Sequence, residues 1–151
     1  MRATEIDHDI RRAAGCLIYA KDSANWLFTQ RSSYVNEPLA WAIPGGGVEP
    51  GEDYLEAAIR EAREEIGFDL SSAPNKLIYA IEEDWPGLIY KTFAFVVDKQ
   101  FKPVLNWEVA DYKWCKMDEI PMPLHPGMDA MLGHDRSAEI LHDWLTNLTN
   151  S

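Results

Sequence analysis

At 151 residues, with 46% hydrophobic residues and six tryptophans, the chain has the size of one domain and enough apolar bulk for a core. Fourteen Lys and Arg against 25 Asp and Glu give a formal net charge of -11, which argues against a scaffold that holds polyanions by counterion release, and no Lys/Arg cluster in the sequence offsets it. No run approaches the roughly 18 apolar residues of a membrane span and "MRATEIDHDIRRAAG" has no signal-peptide core, so a soluble, cytoplasmic protein is expected.

Along the chain, "AAGCLIYA" (13–20) and "NWLFTQR" (25–31) predict two strands across the polar turn "KDSA". "LAWAIPGGG" is a short apolar run broken by Pro44 and glycines. Residues 53–66 predict a helix stopped by Gly67 in the C′ position. "KLIYAIEE" (76–83) and "LIYKTFAFVV" (88–97) predict strands joined through "DWPG", and "DYKWCKM" (111–117) predicts another. After the proline-rich "IPMPLHPG" comes a terminal helix near 136–148, with Ile140, Leu141, Trp144, Leu145 and Leu148 on one face. Cys16 and Cys115 lie far apart in apolar segments, which predicts buried free thiols rather than a disulfide or a zinc site. With no repeat and no linker, residues 1–151 are expected to form one α/β domain, helices packed on a mixed sheet.

The helix at 53–66 carries the chemistry. On a wheel, Leu55, Ala58, Ile59, Ala62 and Ile66 share one side, and Glu61, Glu64 and Glu65 stack at i, i+3 and i+4 on an adjoining face. Like charges at that spacing repel by a few tenths of a kcal/mol per pair, so the arrangement does not serve helix stability. It is either a solvated acidic face or a bed for cations. The glycines in front allow backbone to approach a ligand closely, and hard ions such as Mg²⁺ or Mn²⁺ take oxygen ligands from carboxylates, carbonyls and phosphates.

Gly46, then Glu52 after five residues, then after seven more Arg60-Glu61-Ala62-Arg63-Glu64-Glu65-Ile66-Gly67-Phe68, resembles the Nudix box, which would span 46–68. All seven fixed positions match, which chance would produce on the order of 10⁻⁸ times per window. Ala62 and Phe68 depart mildly from the bulky aliphatics commoner there. The resemblance implies an α/β/α sandwich with the mixed sheet between helices and the box as loop–helix–loop. It implies hydrolysis of a nucleoside diphosphate linked to another group X, by water attack at phosphorus with Mg²⁺ or Mn²⁺. Carried onto this chain, Glu64 and Glu65 would be the main metal ligands, with Glu61 a further ligand or a base and the Gly45 carbonyl an extra ligand. Glu52 and Arg60 would brace the loop, and Gly46 and Gly67 complete the structural part of the box.

Outside the box, Arg31 at the end of "LFTQR" is placed similarly to family residues that touch substrate phosphate. Glu108, in "LNWEVADYKW", is the candidate for a further catalytic or metal-binding glutamate, with Glu82, Glu83 and Asp84 as rivals. Trp85 or Tyr90 could stack on a base, against the blander use in packing, and His125 could touch substrate, against that of a plain loop histidine. The implied partner is a small nucleotide, with no stable nucleic-acid or membrane binding, and the protein a monomer or homodimer. Several substrates stay open: nucleoside triphosphates, ADP-ribose, sugar nucleotides, dinucleoside polyphosphates and capped RNA, the last disfavoured by charge. Pro86 and Tyr90 fit no subfamily marker. The alternatives are a non-hydrolytic nucleotide sensor, which typically loses the box carboxylates kept here, and isopentenyl-diphosphate isomerase, whose cysteine and glutamate pair has no recognisable counterpart.

Overall fold

A computed structural model describes residues 10–81 and 87–149. Its strands are β1 (Arg11–Ala20), β2 (Asn25–Arg31), β3 (Trp41–Ala42), β4 (Gly45–Gly47), β5 (Asn75–Ile81), β6 (Leu88–Val97) and β7 (Val109–Cys115). The helices are α1 (Tyr54–Ile66), α2 (Pro126–Leu132) and α3 (Asp135–Thr149), with a short 3₁₀ turn at Met117–Glu119. The sheet is mixed, ordered β3-β2-β1-β6-β5, with β4 paired to β1 and β7 to β2.

β1 organises everything. It runs parallel to β6 from Arg11↔Leu88 to Ala20↔Val97. Its other edge is shared, with β2 antiparallel at Ile18–Ala20 and β4 antiparallel at Ala13–Gly15. A strand paired on both edges and covered on both faces reads as a continuous apolar run, which "AAGCLIYA" is. Alternate residues then serve opposite layers. Ala14, Cys16, Ile18 and Ala20 join Ala57, Ala58, Ala62 and Ile66 of α1. Leu17 faces the other way, with Phe28, Ala94 and the methionines Met128 and Met131 of α2, and Leu141 and Trp144 of α3 cover this second core. The result is the expected sandwich, a mixed sheet between helices.

α1 is held at both ends by local chemistry. Asp53 caps the N-terminus by accepting from the Glu56 amide (2.7 Å), while the Glu56 carboxylate accepts from the Asp53 amide (3.1 Å). Gly67 ends it in the left-handed region (φ 67°), donating its amide to the Arg63 carbonyl. The apolar stripe is alanine-rich, and Ala57 is fully buried beside Ala58 and Ala62, so the helix lies close against β1.

Three elements escape the sequence reading. β3 and β4 are two and three residues long, too short to show a period, and β4 consists of glycine alone. α2 hides in the "LHPG" that reads as loop. Pro126 sits in its first turn, and His125 caps it by accepting from the Gly127 amide at Nδ1 (3.0 Å). Glu82 and Glu83, expected to end a strand, lie outside the described residues, as do Asp84, Trp85 and Pro86. Both cysteines are free and buried, as expected. Among the described residues, no helix is long and apolar enough to cross a membrane.

Candidate active site

The site is built where α1 meets the glycine strand β4. Glu61 and Glu65, one turn apart, face the strand and are each only 7% exposed, rather than lying along an open acidic face. Glu65 Oε2 accepts from the Gly45 amide at 3.0 Å. Glu61 lies so close to Gly46 that a β-carbon there would stand 2.5 Å from its Oε1 and 2.6 Å from its Cδ. Glycine at 46 is therefore a steric requirement of the buried carboxylate. Burial raises the pKa of both acids. For Glu65 the neighbouring charges of Glu61 and Glu108 push the same way.

One guanidinium opposes this acid pair. Arg60 forms a two-pronged bond with Glu52 (Nε–Oε2 2.8 Å, Nη2–Oε1 3.0 Å) and donates to the Gly47 carbonyl (2.7 Å). Its Nη1 reaches Glu61 (3.1 Å) and both oxygens of Glu64. The fork fastens the 45–52 loop to α1, and its carboxylate partners hold the guanidinium firmly in the charged form, Glu52 foremost. Glu64 differs from its neighbours, with its side chain 48% exposed. Arg60 Nη1 thus bridges Glu61 and Glu64; among the described residues, no three His, Cys, Asp or Glu side chains form a ready ligand cluster.

The loop before β7 is sewn to the end of α1. Val104 donates its amide to the Ile66 carbonyl and Asn106 to that of Glu65. Asn106 in turn holds Glu108, accepting from its amide (2.9 Å) and donating to its carboxylate (3.3 Å). Glu108 is half-buried and close enough to Glu65 for their charges to interact. Its rivals at 82–84 lie outside the described residues.

On the other side of β4, between the sheet and α2, opens a cavity of about 390 Å³. Gly45, Gly46 and Gly47 form part of its wall, so only a strand without side chains separates it from Glu61 and Glu65. Arg31, Tyr90 and His125 line it, and so do Arg11 and Arg12, which the sequence reading passed over. Arg11 and Arg12 stand at the start of β1, paired with Leu88 and Ile89 of β6, while Arg31 ends β2 opposite Val109 of β7. Arg31 is oriented by Asn36, donating from Nε to its carbonyl (2.8 Å) and from Nη2 to its side-chain oxygen. Tyr90 directs its hydroxyl at Gly15 and Gly45, and burial raises its pKa above the ordinary phenol range. Its ring belongs to the cavity wall, whereas Trp85 lies outside the described residues. His125 has its pKa lowered by burial and then by the Arg31 charge.

The sequence profile of the NUDIX domain matches residues 9–134. The chain belongs to the Nudix family. Nudix hydrolase 25 of Arabidopsis thaliana is 33% identical over 129 residues, covering 70% of this chain and 71% of that protein. The nucleoside triphosphatase NudI of Escherichia coli is 34% identical over 124 residues, covering 73% and 85%. Among solved structures, the Ap4A hydrolase of C. elegans superposes with a TM-score of 0.64 at 25% identity, over 92% of this chain and 99% of that one. The protein is thus a Nudix hydrolase, of a family that acts on nucleoside diphosphate derivatives. The Nudix box coincides with β4, α1 and the loop joining them.

Proposed function

We propose that the protein hydrolyses the diphosphate linkage of a nucleoside diphosphate-X substrate with Mg²⁺ or Mn²⁺, acting as one catalytic unit of residues 1–151 on a small nucleotide in the cytoplasm, as a monomer or homodimer. The observation that carries this reading is the glycine partition, with two buried carboxylates on one side of β4 and an arginine-lined cavity on the other. The donor set suits a hard dication. Glu61 and Glu65 are desolvated carboxylates with a single guanidinium between them and Glu64, and oxygen ligands of this kind are what such ions take. Glu64, Glu65, Glu61 and the Gly45 carbonyl would hold the ion, whose charge would polarise the phosphate oxygens.

The chain's own groups supply the rest. Arg60 and Glu52 fix the loop against α1, so the Gly45–Gly47 backbone stands still relative to the carboxylates. Arg31 would bind a phosphate oxygen, with Asn36 holding its fork in place. Glu108 would take the proton as the water oxygen bonds to phosphorus and the bridging P–O bond breaks, the electron pair leaving on the bridging oxygen. The test is a panel of nucleoside triphosphates, ADP-ribose, sugar nucleotides and dinucleoside polyphosphates, assayed with Mg²⁺, with Mn²⁺ and with EDTA. Metal-dependent release of a nucleotide product from at least one substrate is expected; release that persists undiminished in EDTA would contradict the proposal.

A further inference from the structure

The turn that carries Glu108 is tied to two other elements. The Asn106 amide donates to the Glu65 carbonyl near the end of α1 (3.2 Å), and the Asn106 carbonyl accepts from the Val109 amide at the start of β7 (3.2 Å). The Glu108 carbonyl accepts from the Ser32 amide (2.9 Å), one residue past the end of β2 at Arg31. The Glu108 backbone is thus pinned between the helix that carries the box carboxylates and the strand that ends in Arg31. Main-chain bonds fix where this residue starts, but a glutamate side chain keeps several rotatable bonds beyond its Cα.

Asn106 restrains both parts of Glu108. Its Oδ1 accepts from the Glu108 amide (2.9 Å), and its Nδ2 donates to Glu108 Oε1 (3.3 Å). The first bond, from an amide two residues on, is an Asx turn, which Asp forms as well and Ser more weakly. The second bond has no part in the turn. Of these turn-forming side chains, only asparagine carries its acceptor and its donor on separate atoms of one planar group. An aspartate here would keep the turn and set a second negative charge against Glu108. The amide engages a single carboxylate oxygen, Oε1, and leaves Oε2 to accept. Glu108 also lies close enough to Glu65 for their charges to interact, and like charge pushes its carboxylate away from α1 unless a donor holds it. Trp107, between the two residues, is 65% exposed, so hydrogen bonds rather than burial of the intervening side chain hold the turn.

From this arrangement we infer that Asn106 is a positioning residue for the hydrolysis, its side-chain amide holding the Glu108 carboxylate beside α1 with one oxygen free to take the proton of the attacking water. The inference rests on the reading of Glu108 as that proton acceptor. Asn106 itself touches no reacting atom and exchanges no proton. Its contribution is expressed as the water gives up its proton, so it falls on kcat rather than on KM.

The test is a double-variant cycle between positions 106 and 108, read by steady-state kinetics of the full chain with Mg²⁺ on the best substrate of the panel. Asn106→Ser and Asn106→Asp each keep an acceptor for the Glu108 amide, and both lose the Nδ2 donor. Each should lower kcat at least tenfold, with KM within twofold of wild type. In the Glu108→Gln background the same substitutions should change kcat less than twofold, because no carboxylate is left to position. A merely structural role would carry its full loss into that background, and that result overturns the inference. Near wild-type kcat in either single variant overturns it too, as does a loss seen in KM alone. If Glu108→Gln is damaging while Asn106→Asp is silent, Glu108 keeps its role and the inference fails. If Glu108→Gln is itself silent, the proton-acceptor reading fails and the positioning role falls with it.

Discussion

Replacing Gly46 by alanine adds one methyl group directly against the Glu61 carboxyl. The new carbon would lie 2.5 Å from Glu61 Oε1, 2.6 Å from Cδ and 2.8 Å from Oε2, well inside van der Waals contact with the whole carboxyl group. Glu61 cannot swing into solvent freely, because it is buried and bonded to Arg60 at 3.1 Å. Overpacking of this kind costs about 1–3 kcal/mol, which corresponds to a melting temperature lower by roughly 2–12 °C for a chain of this size. The displaced carboxylate would also lower turnover at least tenfold. The neighbouring glycines calibrate the result. A β-carbon at Gly45 would meet backbone, the Ala14 carbonyl at 2.6 Å and the Gly15 Cα at 2.9 Å, which cannot yield as a side chain can. At Gly47 the nearest atom is 3.9 Å away, so Gly47→Ala should stay within about 0.5 kcal/mol of wild type. The assay is thermal melting and kcat for the three single variants. Equal melting temperatures and equal turnover across Gly46→Ala, Gly47→Ala and wild type would refute the steric reasoning and remove Glu61 from the machinery.

Asp53→Ala removes the cap of α1 without touching a proposed ligand. It should cost about 1 kcal/mol, seen as a melting temperature about 2–4 °C lower, while kcat at 25 °C stays within about twofold because the variant remains folded. Glu108→Gln should lower kcat at least tenfold, about 1.4 kcal/mol of barrier, with little change in KM; Glu83→Gln assayed beside it identifies the other acid if that variant is the more damaged. His125 links stability to pH. Its folded pKa is depressed by burial and by Arg31, and protonation at Nδ1 would break the cap on Gly127, so the folded state binds the proton less readily than the unfolded one. Its stabilising contribution is therefore complete above the unfolded value of about 6.5 and is lost as pH falls below it through the folded value. The drop in melting temperature between pH 7.5 and pH 5 should shrink in His125→Asn, which keeps a capping side chain; an identical drop would remove His125 as the cause.

The legible parts of this protein were those with a local signal. The strands at 13–20 and 25–31 announced themselves through apolar runs and a polar turn. The helix from 53 to Gly67 did so through a 3.6-residue stripe and a terminating glycine, whereas its Asp53 cap appears only in the structure. The box glutamates were legible by spacing, but their burial was not. That depends on β4 lying against α1, and a strand of three glycines carries no side-chain pattern. Glu61 and Glu65 turn inward to β4 while Glu64, which shares Arg60 with Glu61, stays half-exposed, so three acids of similar spacing sit in two environments. The cavity was the least legible feature. Arg11 and Arg12 lie about twenty residues from Arg31 in sequence and come to one cavity only through the folding of the sheet. Its other wall belongs to α2, whose Pro126 and Gly127 mark a helix start as readily as a loop.

The central claim is that the carboxylates on α1 hold the charge that drives hydrolysis, and Glu64→Gln tests it most directly. Glu64 is the half-exposed member of the set, so the amide should leave the fold intact, as an unchanged circular dichroism spectrum and a closely similar melting temperature would verify. At saturating Mg²⁺, on the best substrate of the panel, kcat/KM should fall at least 100-fold, about 2.7 kcal/mol of transition-state stabilisation. A folded Glu64→Gln protein that turns over at nearly the wild-type rate would contradict the account.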